Sequence, residues 1–205
     1  MVIDLTHTVM SGMPVYPGDD ETIIIHTQQF GINGFNNHQL SINMHAGTHI
    51  DGPMHLQDVQ QYISDIPITT FVGEGILIDT SGTNLVEYKE EYEALIQEGH
   101  IVLVHTGHSK LYGQTAYFED YPTLSLAFVD LLIRKKVKML GLDTPSPDKF
   151  PYECHQALFS GQIPIIENLA HVDRLIGVTA FEVIALPLRI QADSSVARVI
   201  AIVRL

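Results

Sequence analysis

The sequence predicts an α/β protein built around a mixed β-sheet. Several short apolar runs are rich in β-branched residues and bounded by Gly, Pro or Asp, which is typical of strands. Two stretches instead repeat apolar residues every three or four positions, as helices do. Each of these is followed directly by a strand candidate, whereas both ends of the chain hold strands without helices. This order indicates parallel and antiparallel strands in one sheet. We expect one domain, residues 1–205.

The elements can be assigned in chain order. The predicted strands cover residues 21–27, 75–80, 100–106, 138–144, 163–168, 179–190 and 195–205. One helix is predicted over residues 85–99, with its apolar positions at Leu85, Tyr88, Tyr92, Leu95 and Ile96. The second is predicted over residues 125–137, with its apolar positions at Leu126, Val129, Leu132 and Ile133 and basic residues at its C-terminal end. These two are the main helices that we expect.

The composition argues against some classes of partner and indicates a location. A formal net charge of -13 disfavours phosphate backbones and anionic membranes, so we expect neither nucleic acid nor membrane as a ligand. No run of eighteen apolar residues and no signal peptide occurs, which makes the cytoplasm the expected location. Charged residues make up only 17%, so we expect part of the surface to be covered in a homo-oligomer.

The densest polar motif is "HAGTHIDGPMH", residues 45–55, which contains His45, His49, Asp51 and His55. A helix would put His45 and His49 on one face, and an extended strand would put all four on one side. Both geometries gather imidazoles and a carboxylate, which are ligands for Zn²⁺, Mn²⁺ or Fe²⁺. The alternative is a polar loop with ordinary hydrogen bonds. The motif contains no cysteine, which argues against a structural cysteine-zinc site and favours a catalytic metal.

This motif resembles the signature of the cyclase-like metal-dependent hydrolases, a family that includes bacterial kynurenine formamidase and is similar to isatin hydrolase. The resemblance extends over essentially the whole chain, because matching segments stand in the same order. They lie at residues 4–19, 104–108, 141–148, 154–169 and 185–190. The resemblance implies a swivelling β/β/α fold and a homodimer or homotetramer.

The resemblance also implies the roles of the site residues. His45, His49 and Asp51 would hold one divalent metal ion, with Asp51 reaching a second. His155 and Glu167 would complete the pair, with Glu167 bridging both ions. Two Zn²⁺ ions per chain are expected, with Mn²⁺ as the alternative. The last histidine of the motif, His55, would be the general acid/base.

The implied activity is hydrolysis of an aryl formamide, N-formylkynurenine to kynurenine and formate, in tryptophan catabolism. Two ions would lower the pKa of water and polarise the carbonyl, and a non-ligating histidine would carry the proton. Opening of a cyclic amide, as by isatin hydrolase, needs the same groups. A metal-binding or ligand-binding protein without turnover is the alternative from another class.

Two residues are predicted to contact the substrate. Tyr16 stands where kynurenine formamidases commonly have tryptophan, and an aromatic ring there could stack on a ring-bearing substrate. His108 also stands where relatives often have tryptophan, so we expect a retuned pocket, although an ordinary loop histidine is the alternative. Asp143 and Ser146 are candidates to support the site, unless they only form a turn between prolines.

Overall fold

A computed structural model describes residues 1–204. The strands are β1 (Val2–Asp4), β2 (Ile23–Gln28), β3 (Asn37–Ser41), β4 (His49–Asp51), β5 (Val72–Asp79), β6 (Leu85–Val86), β7 (Ile101–His105), β8 (Thr123–Leu124), β9 (Met139–Leu142), β10 (Ile165–Glu167), β11 (Phe181–Pro187) and β12 (Ser194–Val203). The α-helices are α1 (Phe30–Asn33), α2 (Tyr92–Leu95), α3 (Leu126–Arg134) and α4 (Glu153–Ser160). No α-helix within residues 1–204 has the length and hydrophobicity needed to span a lipid bilayer.

The main sheet closes into a barrel. Its strands follow the order β12-β11-β5-β7-β9-β10-β4, and β4 then pairs back onto β12. Strands β5, β7, β9 and β10 are parallel, and the other pairings of the ring are antiparallel, so the barrel is mixed as the sequence predicts. β1 pairs with β12 beyond the position of β4. The two ends of the chain therefore meet beside the strand that carries the histidine motif.

Two apolar cores lie on opposite sides of the barrel wall, and β7 contributes to both. Ile101 and Leu103 belong to the core inside the barrel, whereas Val102 and Val104 pack under helices α3 and α4 on the outside. This alternation is that of a strand whose successive side chains point to opposite faces. Because both faces are covered, β7 reads in the sequence as a continuous apolar run.

The predicted strands are confirmed, whereas one of the two predicted helices is wrong. Helix α3 occupies the interior of the predicted 125–137 segment, and Ser125 caps it by accepting a hydrogen bond from the Phe128 amide. The segment 85–99 instead forms β6, a loop and the four-residue helix α2. Its periodic residues do not share a buried face, because Leu85 and Leu95 are 45% and 47% exposed. The second main helix is α4, which was not predicted.

The hairpin formed by β2 and β3 lies outside the barrel. Its strands pair only with each other within residues 1–204, and every residue of β3 is exposed. Large apolar side chains along the hairpin are also exposed, among them Ile25, Phe30, Ile32, Phe35 and Leu40. An isolated two-stranded hairpin is at best marginally stable in water. The hairpin therefore leaves an apolar surface without a partner inside the chain.

Candidate metal centre

The histidine motif is neither a helix nor a continuous strand. Residues 49–51 form β4, which lies between β10 and β12 in the barrel. His49 and Asp51 are two residues apart, so they share one face, and Ile50 points the other way into the inner core. The register places His49 opposite Glu167 of β10. These three polar side chains therefore share the outer face of the barrel, which α4 covers.

The turn before β4 brings His45 back to the same face. The backbone amide of His45 is bonded to the side chain of Asn43 at 2.9 Å. Gly47 follows with a φ of 65°, a left-handed conformation that glycine adopts without steric cost. His45 Nδ1 thereby comes to 3.0 Å from Asp51 Oδ1. A side chain at position 47 would strain this turn, and its first carbon would lie 2.5 Å from Met13 Cε.

The structure brings all five predicted ligands into contact. His49 Nε2 lies 3.3 Å from Asp51 Oδ1 and 3.4 Å from Glu167 Oε2. His155, on α4, places Nε2 3.3 Å from Glu167 Oε1. Four of the five side chains are buried, and His45 is partly exposed on the solvent side. The cluster is thus a closed, polar site at the end of a cavity.

The buried polar atoms of this cluster fit a bound cation. His49 Nε2, Asp51 Oδ1, His155 Nε2 and Glu167 Oε1 have no hydrogen-bond partner within residues 1–204, although all four are buried. Leaving such atoms unpaired costs about 1–3 kcal/mol each, more for charged groups. Imidazole nitrogens and carboxylate oxygens are the donors that Zn²⁺ and Mn²⁺ prefer. Divalent ions held by these residues would give the four atoms the partners that they lack.

A second observation also fits a bound cation. In each of the three imidazoles, the ring nitrogen that faces away from the cluster is held by a hydrogen bond. His49 Nδ1 bonds the Gly47 carbonyl at 2.8 Å, and His155 Nδ1 bonds Asp148 at 2.6 Å. His45 Nε2 bonds Asp193 Oδ2 at 2.9 Å. Such bonds fix the tautomer and turn the remaining lone pair toward a metal, as is usual for ligating histidines.

The carboxylates also change the acidity of the histidines. Burial lowers each pKa, but the neighbouring carboxylates outweigh it and raise the pKa of His45 to about 11, that of His49 to about 10 and that of His155 to about 9. For Asp51, burial raises the pKa, but His49 and His45 outweigh burial and hold it well below its usual value. The site therefore favours positive charge, carried either by protons or by a metal ion.

This competition predicts opposite pH dependences with and without metal. Without metal, the protonated histidines stabilise the folded protein through the neighbouring carboxylates. Because folding raises their pKa values from 6.5, this stabilisation is complete below about pH 6.5 and is lost as the pH rises through about 9 to 11. Metal must displace these protons, so its stabilisation grows with pH. We expect the increase in Tm on adding Zn²⁺, relative to chelator-treated protein, to become larger between about pH 6 and about pH 8. An increase that is independent of pH would contradict proton competition.

The cluster of histidines and carboxylates forms one end of a cavity of about 220 Å³. Aromatic side chains line its other walls, including Tyr16, Phe118 and Tyr152. The prediction for Tyr16 is thus compatible with its position at the cavity. His108 is not among the lining residues within the described chain, since it is buried with Nε2 2.9 Å from the Tyr117 carbonyl. Contact between His108 and a substrate stays a prediction.

His55 lies at the partly exposed edge of the cluster, on a single turn of 3₁₀-helix, Pro53–His55. Its Nδ1 is 3.3 Å from Asp193 Oδ2. Donor atoms converge within 4.8 Å in three overlapping groups: His45, His49 and Asp51; His45, His55 and Asp193; and Asp51, His55 and His155. The geometry alone is therefore compatible with His55 as a ligand or as an acid/base residue.

Two acidic residues at the site were not predicted in these roles. Asp193 stands just before β12 and reaches the site because β12 pairs with β4. Asp148 accepts hydrogen bonds from His155 Nδ1 and from the backbone amides of Cys154 and His155. Among the predicted supporting residues, Ser146 lines the cavity, whereas Asp143 accepts bonds from Thr106 and Gly107. No spacing rule in the sequence singles out Asp193.

Comparison with known proteins adds independent findings. Residues 3–149 match the family model described as "Putative cyclase". An uncharacterized protein of Methanocaldococcus jannaschii is 34% identical over 98% of both chains. The kynurenine formamidase of Bacillus cytotoxicus is 29% identical over 97% of this chain and 95% of its own. Isatin hydrolase A from Labrenzia aggregata, solved with benzyl benzoate, is 25% identical with a TM-score of 0.86, covering 99% of this chain and 93% of that one.

Proposed function

Because the chain belongs to the family described as "Putative cyclase", we propose that it is a metal-dependent hydrolase that cleaves a carbon–nitrogen amide bond. The observation that carries this proposal is the group of four buried, unpaired donor atoms on His49, Asp51, His155 and Glu167. Kynurenine formamidase and isatin hydrolase, to which the chain is similar, are named for reactions at such bonds.

The proposed ligands are His45, His49, Asp51, His155 and Glu167, and two divalent ions, preferably Zn²⁺, would share them. When bound, a divalent ion supplies Lewis-acid chemistry: it lowers the pKa of water and polarises a carbonyl oxygen. Asp51 and Glu167 contribute two negative charges against the four positive charges of two such ions. The resulting positive centre would favour the negative charge that develops on the carbonyl oxygen.

The proposed task of His55 is proton transfer. Amide hydrolysis removes a proton from water as its oxygen attacks the carbonyl carbon, and delivers one to nitrogen as the carbon–nitrogen bond breaks. His55 Nδ1 contacts Asp193, which leaves Nε2 as the nitrogen available for this exchange. As one of the residues that line the cavity, His55 can reach the reacting atoms. The same imidazole can therefore accept the first proton and return it in the second step.

The cavity supports a small aromatic substrate. Tyr16 and Phe118 meet edge to face with their ring centroids 5.9 Å apart, and Tyr152 also lines the cavity. Aromatic walls of this kind hold planar rings by stacking and edge contacts. We therefore propose an aryl formamide as the substrate, cleaved to an aryl amine and formate.

One observation favours a second candidate, the opening of a cyclic aryl amide such as isatin. No lysine or arginine lines the cavity in the part of the chain that the structure describes, and Asp19 adds a carboxylate. N-formylkynurenine carries a carboxylate that would find no lysine or arginine there, whereas isatin has no charged group to pair. On this ground the cavity suits an uncharged aryl amide better than an amino-acid substrate.

The test is a comparison of three substrates on the metal-loaded protein. N-formylkynurenine, formanilide and isatin would be assayed with Zn²⁺ or Mn²⁺ added, and chelator-treated protein would be the control. Turnover of any of the three that depends on added metal would support the proposal, and preference for formanilide or isatin would support an uncharged substrate. Absence of metal uptake together with absence of hydrolysis would overturn the proposal.

We also propose that the β2–β3 hairpin joins copies of this chain into a dimer or tetramer. We expect the wild-type protein to be oligomeric in light scattering, and the double substitution Phe30→Asp and Ile32→Asp to give monomers, because these side chains are 69% and 79% exposed. A matched control is Ile68→Asp, which is 70% exposed but lies outside the hairpin. The proposal would be contradicted if the wild type were monomeric, or if the double variant had the same oligomeric mass in solution as the wild type.

A further inference from the structure

Asp193 occupies a place where two functions of the site meet. Its Oδ2 atom accepts from His45 Nε2 at 2.9 Å and lies 3.3 Å from His55 Nδ1. His45 is a proposed metal ligand, whereas His55 is the proposed acid/base. One carboxylate oxygen therefore contacts both imidazoles, one from the segment before β4 and one from the segment after it.

The backbone around Asp193 is fixed to the segment that carries His55. The Asp193 carbonyl accepts a hydrogen bond from the Gly52 amide at 3.0 Å, and the Ala192 carbonyl accepts one from the Ile63 amide at 2.8 Å. A side-chain carbon at position 52 would lie 2.9 Å from the Asp193 carbonyl oxygen, so the two backbones are in close contact. These bonds bracket the turn at Pro53–His55 on both sides. The backbone that carries the Asp193 carboxylate is thus held against the segment that carries His55.

We propose that Asp193 is a positioning residue that fixes the orientation and tautomer of both His45 and His55. This proposal rests on the proposed function. By accepting the Nδ1 proton of His55, it leaves Nε2 directed to the cavity. By accepting the Nε2 proton of His45, it leaves Nδ1 directed to Asp51, whose Oδ1 is 3.0 Å away. A carboxylate that holds an imidazole in its working tautomer contributes strongly to general base catalysis.

The contacts of His45 and His55 with the rest of the chain show why this acid is needed. Apart from Asp193, His45 Nε2 is within hydrogen-bond distance only of Ser194 Oγ, at 3.0 Å, within residues 1–204. His55 has no other hydrogen bond from its ring in that part of the chain. Both side chains are partly exposed, at 21% and 30%, so burial does not restrict them as it restricts His49. Without Asp193, the ring of His55 would keep its packing against His45, with ring centroids 4.2 Å apart, but would have no hydrogen bond within residues 1–204 to set its tautomer.

The experiment compares Asp193→Asn with the wild type, with Asp58→Asn as a matched control for an exposed acid in the described chain. We expect kcat to fall about 10–100-fold, as for other residues that orient ligands and bases, with KM changed less than about threefold. Metal content per chain should be unchanged at saturating Zn²⁺. In ¹⁵N NMR spectra of the zinc-loaded protein, the His55 ring should change from one tautomer to a mixture. Asp193→Glu should restore part of the lost rate.

Three outcomes would overturn the proposal. An unchanged kcat would show that the contact has no role, and an unchanged His55 tautomer would show that Asp193 does not set it. Loss of one metal ion per chain in Asp193→Asn would make Asp193 a ligand instead. The NMR and metal readouts need no turnover, so they decide the matter even where no amide substrate is hydrolysed and the proposed function itself fails.

Discussion

Replacing Asp51 with asparagine is expected to remove both metal and activity. Asp51 is 1% exposed, and its Oδ1 lies within 3.3 Å of both His45 and His49 without a hydrogen-bond partner in residues 1–204. An amide in its place keeps the shape but loses the charge that holds a cation. Metal affinity and turnover should each fall by at least about 100-fold. Residues that only hydrogen-bond to a metal ligand cost about 10–100-fold when replaced, and loss of a ligand itself should cost at least the upper end of that range. Elemental analysis and a metal-dependent assay measure the two effects.

A second variant, at another buried aspartate, serves as a control that separates loss of a metal ligand from loss of the folded state. Asp143 is equally buried, but its carboxylate accepts hydrogen bonds from Thr106 and Gly107 away from the cluster. The Asp143→Asn variant should lose stability and still bind metal in its folded fraction. Full metal content in Asp51→Asn would exclude the proposed bridging role of Asp51.

The second large effect is expected at His55. The His55→Asn variant should keep the metal content of the wild type and lose about 10²–10⁴-fold in kcat, the contribution of a general acid/base residue. The reason is that asparagine cannot exchange a proton at neutral pH, whereas imidazole can. Metal content per chain and steady-state kinetics are the two measurements, with His100→Asn as a control for a histidine outside the cavity.

The same variant distinguishes an enzyme from a binding protein. A protein that only binds its ligand would keep its affinity for that ligand in His55→Asn, and the wild type would show no turnover. A fall in metal content would have a different meaning, because donor atoms of His55, Asp51 and His155 converge within 4.8 Å. In that case His55 would be a ligand, and another group would have to carry the proton.

The sequence predicted the composition of the site better than its geometry. Imidazoles and a carboxylate at a spacing of two and four residues predict proximity in either a helix or a strand, and the structure brings His45, His49 and Asp51 together. His155 and Glu167 reach them through the pairing of β10 with β4 and the packing of α4. Their binding of metal stays a prediction. The spacing of two was sufficient for His49 and Asp51, because alternate residues of a strand share a face, whereas His45 reaches them through the turn at Gly47.

Non-local pairing explains what could not be predicted. Asp193 lies in the segment "QADSS", where an acid before a strand is ordinary turn chemistry, and only the pairing of Ser194 with Asp51 brings it to the site. The helix predicted over residues 85–99 failed for a related reason. Apolar residues at helical spacing indicate a helix only when one face is buried, and here Tyr92 and Ile96 are buried while Leu85 and Leu95 are not.

Closure of the barrel by β12 has a consequence for how the protein is made. The strand that carries His49 and Asp51 is flanked by β10 and by β12, which is the last strand of residues 1–204. During synthesis from the N-terminus, the histidine motif emerges more than a hundred residues before Asp193. A nascent chain that ends before β12 lacks one neighbour of β4 and the carboxylate on His45. The contacts of His45 and Asp51 with the segment at Asp193 and Ser194 can therefore form only after β12 has been synthesised.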